Sequence, residues 1–394
     1  MIPRTVRLSG LVAIALLSGT APAALQSFAA PNLVAYYRLD ETSVGTVDDA
    51  VGTFDGTHVS NPAPNTTDKA PLLFSNAASL GFTNSLDRVS LPHSLVNGRT
   101  NLTVAWWMKT SKTGNQAIVS GATAAQSNSF LLFFVNNTTY RHHENGATAD
   151  LTVPSISDNA WHHVAVVRDD AANLVTVYTV GVNRGSLSIN FGAIAVDPNG
   201  LVLGEEQDSV DGGYDANQSF VGLLDDVRFY DRLLSGSEVD YLARGNGPPP
   251  APSLSSAVGA TDPVTGAPRV DLNWAAVTTT PATPIVYSVL RSTVSGGPYT
   301  TLASNLSGTT YTDTSVTLGT TYYYVVRATN VGGESANSNE QSATPQLPPP
   351  RTNDHEEGLV DSRCSCGTAR GVPGAGAAAL LGAAGILFAL LRRR

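Results

Sequence analysis

FVGLLDDVRFYDRLLSGSEVDYL, residues 220–242, places a strand-like run directly before a helix-like one. GLLDDVRFY (222–230) reads as a short strand. SGSEVDYLA (235–243) reads as one short helix, with Ser235 or Ser237 as its cap. Upstream, similar strand-like runs recur through 31–245: LVAYYRL (33–39), LTVAWWMK (102–109), FLLFFV (130–135), HHVAVVR (162–168) and LVTVYTV (174–180). Loops rich in Asn, Gly, Asp and Thr separate them. This spacing predicts an antiparallel sandwich or jelly roll.

Composition supports the same class. The 394-residue chain is 42% apolar, enough for packed cores, but only 14% charged, with 36 Gly and 23 Pro. That balance favours turn-rich sandwiches over helical bundles. Two proline-rich breaks, GNGPPPAP (245–252) and QLPPPRTNDHEEGLVDSR (346–363), divide the chain. Proline runs hold a chain extended, so both read as stiff spacers. The expected organisation is an N-terminal export signal over 1–30, a jelly roll over 31–246, a smaller sandwich over 247–345, a linker over 346–363 and a tail over 364–394.

The ends carry addresses. Arg4 and Arg7 precede the apolar run LSGLVAIALL and the small residues Ala21-Pro22-Ala23, the pattern of a secretory signal peptide. Gly371 to Leu391 is 21 uncharged residues followed by three arginines, long enough to cross a bilayer with the arginines on the cytoplasmic side. Cys364 and Cys366, the chain's two cysteines, lie just before it. One intervening residue makes too small a ring for an unstrained disulfide. A zinc site is unsupported. The net charge is −9, and roughly −15 once both ends are removed. A surface of that sign repels phosphate backbones, which argues against nucleic acid as a partner.

LGEEQDSVDGGYDANQSFVG (203–222) concentrates Glu205, Glu206, Asp208, Asp211 and Asp215 with no Lys or Arg between them. Its glycines indicate a loop. Carboxylates packed this closely repel one another unless a cation is shared, and Ca²⁺ takes six to eight oxygens from carboxylates, amides and backbone. Glu206 and Asp208 are two apart and project to one side of an extended chain. The carbonyl of Gln207 lies between them. Gly212 and Gly213 let the chain turn back, bringing Asp215 and Gln218 to the same point. An acidic surface without a cation is the plainer alternative.

The order LVAYYRLDE, NLTVAWWMKT, NAWHHVAVVRD and FVGLLDDVRFYDRLLSGSEVDYL resembles the landmarks of laminin-G-like, concanavalin-A-like jelly rolls. Within this frame, EQDS, the glycines, Asp215, Gln218 and SFVG resemble the calcium loop of pentraxins. The resemblance implies that Glu206 and Asp208 bridge two calcium ions, that Gln207 gives its main-chain oxygen to the first, and that Asp215 and Gln218 complete the second. Asp215 stands where pentraxins carry Glu. Through QSNSFLLF, Ser127 and Asn128 align with an Asp-Asn pair. Asn128 can serve as a ligand, whereas Ser127 lacks the charge, which weakens the first ion. The pentraxin cysteine pair is missing.

Residues 250–345 resemble a fibronectin type III domain, with Trp274 buried, YSVLRST and TYYYVVRATNVGGESANSN as later strands, and Leu318 four residues before Tyr322 as a tyrosine corner. The tail resembles myxobacterial C-terminal sorting signals, which implies cleavage near Cys364 or Cys366 and surface anchoring there. A plain one-pass membrane anchor is the alternative.

Other chemistry is weaker. EQDSVD (206–211) superficially fits the Glu-x-Asp-x-x-Glu strand motif of concanavalin-A-like glycosidases, but it runs into Gly-Gly in a loop. His142-His143-Glu144 and His162-His163 are adjacent pairs that face opposite ways along a strand, so packing and surface positions are expected. In Trp106-Trp107 and Tyr36-Tyr37 one ring should face the core and the other the opposite face of the sheet. Tyr214 is a ligand-contact candidate beside Asp215. The expected protein is all-β and non-enzymatic, exported to the cell surface. Its jelly roll recognises a glycan or other surface polymer, or a protein, with calcium. A structural spacer whose calcium merely stiffens a loop, and a glycoside hydrolase, are the alternatives.

Overall fold

The computed structural model describes residues 32–83, 86–190 and 192–347. The export signal, the cysteines Cys364 and Cys366 and the apolar tail lie outside the described residues. No helix among the described residues is long and apolar enough to cross a membrane.

The larger sandwich is built from two antiparallel sheets of eight strands each. In the first, Asn101–Lys109 is flanked by Trp161–Asp169 and by Gly222–Tyr230. Gly222–Tyr230 meets two partners on its other edge. Ser79–Phe82 pairs with its first residues and Leu33–Tyr37 with its last. The second sheet runs Ala147–Thr152, Thr139–Glu144, Gln126–Asn136, Gln116–Thr123, Leu201–Leu203, Arg88–Leu91, Gly56–Val59 and Thr46–Val47.

The inner faces pack Trp106, Tyr37, Met108, Phe82, Phe130, Phe134 and Phe229 into one core. Strand alternation sends neighbouring rings opposite ways, as the sequence indicated. Trp106 is in that core, while Trp107 lies edge-on to His163, ring centroids 5.4 Å apart. Tyr37 is in the core, while Tyr36 lies under the Arg228 guanidinium at 4.2 Å. His142 and His143 likewise part. His142 is fully buried and relays between Tyr140 Oη (3.1 Å) and Glu144 (3.1 Å). Arg168 reaches Glu144 at 2.8 Å, so Glu144 is held in a buried ion pair.

The helix forms over Gly236–Ala243 with Ser235 as cap. Ser235 Oγ accepts from Glu238 N, and Ser235 N donates back to the Glu238 carboxylate at 2.9 Å, so two otherwise orphaned donors are satisfied. Val239, Tyr241 and Leu242 bury the helix against the outer face of the first sheet, beside Tyr178 and Tyr230.

The smaller sandwich pairs a three-stranded sheet (Leu254–Thr261, Pro268–Trp274, Thr310–Asp313) with a five-stranded one (Thr300–Leu306, Val286–Ser292, Tyr322–Asn330, Gly333–Glu334, Gln341–Ala343). Trp274 is buried in its core against Tyr287, centroids 5.5 Å apart. Tyr322 Oη accepts from Thr317 N at 3.2 Å. Leu318, however, is 39% exposed, and Val316 takes the core position instead.

The break at 245–252 is not a free spacer. Gly247, Pro249 and Pro252 are buried, Leu73 N donates to Gly245 O, and Tyr241 Oη donates to Gly247 O at 2.9 Å. The backbone of the 71–74 loop and the Tyr241 hydroxyl of the helix pin it down. Both sandwiches belong to one compact unit.

Candidate metal centre

The acidic loop begins where strand Leu201–Leu203 ends. Gly204 has φ +90°, and a Cβ there would collide with the Phe82 ring. Only glycine combines that conformation with that approach. Phe220 N donates to Gly204 O at 2.9 Å and closes the neck, so 205–219 is a compact loop whose ends meet.

Two of the five carboxylates are spent on holding the loop. Glu205 is fully buried. It accepts from Leu86 N at 3.0 Å, Ser219 Oγ at 2.6 Å and Glu206 N at 3.0 Å. Asp211 is exposed, lies 3.4 Å from Arg88, and accepts from Tyr214 Oη at 2.8 Å. Arg88 also stacks 4.1 Å over the Tyr214 ring. Tyr214, a ligand-contact candidate in the sequence, is thus engaged by the loop's own cation and carboxylate. The turn has left-handed residues at Asp211 and Gly213, with Ser209 and Gly212 bridged across it.

Gln207 is a structural anchor as well. Its side chain donates to Ser120 O (3.1 Å) and Gly200 O (2.6 Å) and accepts from Asp211 N (3.0 Å). This fixes the backbone at the residue whose carbonyl the sequence assigned to an ion.

Glu206, Asp208 and Asp215 remain. Glu206 is 1% exposed and its Oε2 has no hydrogen-bond partner among the described residues. Its carboxyl is pushed up to about 7, chiefly by burial, then by Asp208, with Glu205 and Asp215 adding repulsion. The nearby Asn128 amide pulls the other way. Asn128 Oδ1 is itself buried and without a partner among the described residues. Asp208 is exposed and lines an open cleft of about 390 Å³ with Gln126 and Ser127. Asp215 accepts from Asn217 N at 2.9 Å and from Gln218 Nε2 at 3.5 Å, and its carboxyl is held below the usual range by the Asn217 N–H.

These groups feel one another's charge, but they do not close into a three-carboxylate cage. Among the described residues no three His, Cys, Asp or Glu side chains converge closely enough to hold an ion alone. A hard cation here needs the amide and backbone oxygens too. The donor set fits one: among the described residues a buried carboxylate oxygen of Glu206 and a buried amide oxygen of Asn128 lack donors, and the exposed Asp208 carboxylate is close enough to act on Glu206. Lys112 went unnoticed in the sequence. It donates to Ser219 O (2.6 Å) and Asn217 O (3.1 Å), bringing one positive charge to the loop's C-terminal side. Nothing in its local sequence signals that reach.

EQDSVD lies beyond the strand end, with Asp211 tied to Arg88 and Tyr214, so it does not form the regular strand pair the glycosidase motif requires.

Residues 83–240 match the model of the concanavalin A-like lectin/glucanases superfamily (Laminin_G_3). The chain is similar to human neuronal pentraxin-1, 36% identical over 143 residues, covering 36% of this chain and 33% of that one. It is also similar to mouse sushi, von Willebrand factor type A, EGF and pentraxin domain-containing protein 1. There the identity is 31% over 145 residues, 36% of this chain and 4% of that one. The chain therefore spans a third or less of the length of either relative. Among solved structures, it is similar to the heptameric SAP-like pentraxin of Limulus polyphemus, with 26% identity and a TM-score of 0.34, covering 38% of this chain and 71% of that one.

Proposed function

We propose that this is an exported cell-surface binding protein whose jelly roll recognises a glycan or another surface polymer with the help of calcium. What supports this reading is that Glu206 and Asn128 each keep a buried oxygen without a donor among the described residues, while the exposed Asp208 is close enough to raise the Glu206 carboxyl. Glu206 and Asp208, the Gln207 carbonyl, Asn128, Asp215 and Gln218 would hold the ion. Bound there, calcium supplies positive charge that offsets the carboxylate repulsion and offers a coordination position to ligand hydroxyls. The protein's own part is to fix that oxygen set. Glu205 and Gln207 clamp the loop from beneath, and the cleft of Gln126, Ser127 and Asp208 gives a ligand access. In this reading the C-terminal sandwich is of fibronectin type III kind, and the tail with Cys364 and Cys366 anchors the chain at the surface or in the membrane.

The experiment is a glycan array probed with the protein in calcium and again in chelator, with Asp208→Ala alongside. Binding that needs calcium and Asp208 supports the reading; array binding indifferent to both contradicts it. The clamping by Glu205 and Gln207 favours a second reading, in which calcium only stiffens the loop of an adhesive or matrix protein. Chelation then lowers the melting temperature and leaves binding unchanged.

A further inference from the structure

Val331 occupies the tip of the hairpin joining Tyr322–Asn330 to Gly333–Glu334. A hairpin tip normally faces water and gains nothing from an apolar β-branched side chain. Val331 is 1% exposed. It shares a buried cluster with Ala105, Ala165, Val167, Tyr178, Tyr230 and Val239, all from the jelly roll and its helix.

Polar contacts key the same junction. Tyr230 Oη donates to Val331 O at 2.8 Å, and Arg228 Nη1 donates to Gly332 O at 3.3 Å. Arg228 is fully buried and also serves Asp226 at 2.9 Å and Tyr36 Oη at 3.2 Å. Without the hairpin, this ion pair and the apolar cluster would lie at an open face. The backbones approach so closely that a Cβ on Gly332 would collide with Gly247 O. Gly332 itself is not in a left-handed conformation, so alanine suits its backbone and strains only the junction.

We infer that the outer face of the first sheet is a docking surface for the 322–334 hairpin, and that the two sandwiches melt as one cooperative body. The acidic loop is held apart from this junction, by Gln207 on Ser120 of the second sheet and on Gly200 O. This inference is independent of calcium.

The test uses the full chain, with scanning calorimetry and small-angle scattering on wild type, Val331→Ala, Gly332→Ala, and Val264→Ala as control. Val264 is 90% exposed in another hairpin of the same sandwich. The expected result is one transition in wild type and control. Both junction variants should split it into two, with the earlier component lowered by roughly 5 °C and the radius of gyration increased. Two independent transitions in the wild type would overturn the inference. So would a single transition and an unaltered scattering profile in both junction variants.

Discussion

Glu206 in the acidic loop and Asn128 on strand Gln126–Asn136 each keep one buried oxygen that no donor reaches among the described residues, and the Asn128 amide opposes the rise of the Glu206 carboxyl. Folded proteins rarely leave such pairs unpaid by hydrogen bonds, because each unsatisfied buried polar atom costs about 1–3 kcal/mol. The loop is otherwise densely bonded through Glu205 and Gln207, so the two orphaned oxygens mark the place where the chain's own donors stop.

The raised Glu206 carboxyl predicts a pH dependence. Its folded value of about 7 lies above the ordinary carboxylate value, so the protonated form favours folding. That stability is complete below the unfolded value and is lost as pH rises through about 7, by on the order of 3 kcal/mol at most. Asp225, buried and raised to about 8, adds a loss in the same direction extending to higher pH. In chelator, the melting temperature should therefore fall between pH 5 and 8. Glu206→Gln should flatten the portion below about pH 7 and leave the Asp225 portion. Denaturation curves across pH check this.

Glu205→Ala should destabilise far more than Asp211→Ala. Losing Glu205 strands the Glu206 N–H and the Ser219 hydroxyl in the interior and frees the part-buried Leu86 N–H, a cost of about 2–4 kcal/mol. Asp211 is exposed, and its pair with Arg88 contributes about 1 kcal/mol or less. Urea unfolding of the two variants separates these values.

Gly204→Ala should cost about 2–4 kcal/mol, because it combines a left-handed backbone with overlap on Phe82. Its effect should extend to the loop, since Gly204 O accepts the Phe220 N–H at the neck. Thermal melts give the cost, and hydrogen exchange at Phe220 reports the neck.

In the smaller sandwich, Tyr322→Phe should lower stability by about 1 kcal/mol, the worth of the Thr317 N–H bond to its hydroxyl. Leu318→Ala should be nearly neutral, since Leu318 is partly exposed and Val316 fills the core. Paired denaturant titrations distinguish the two.

The strands were legible because their alternation is strong. LTVAWWMK and HHVAVVR send successive side chains to opposite faces, and the structure pairs them directly, Trp107 against His163. The helix was legible from Ser235. The loop's composition showed which residues could be ligands, but not which carboxylates were already spent. Glu205 is a clasp because of Leu86, 119 residues away, and Asp211 is an ion-pair partner because of Arg88. RHHEN indicated packing and surface positions for its two histidines, but not that Arg168 turns His142 and Glu144 into a buried network. At 245–252 the stiff spacer expected from the prolines is instead held down for the same reason. Leu73, far away in sequence, and Tyr241, on the helix, hydrogen-bond the Gly245 and Gly247 carbonyls. Long-range partners of this kind leave no local pattern.

The most direct test is calorimetric titration of calcium into the full chain at neutral pH, beside Asp208→Ala and Glu206→Gln. Saturable binding is expected for the wild type, with at least a roughly tenfold loss of affinity in each variant, about 1.4 kcal/mol or more. Absence of binding at millimolar calcium, or unchanged binding in both variants, would contradict it.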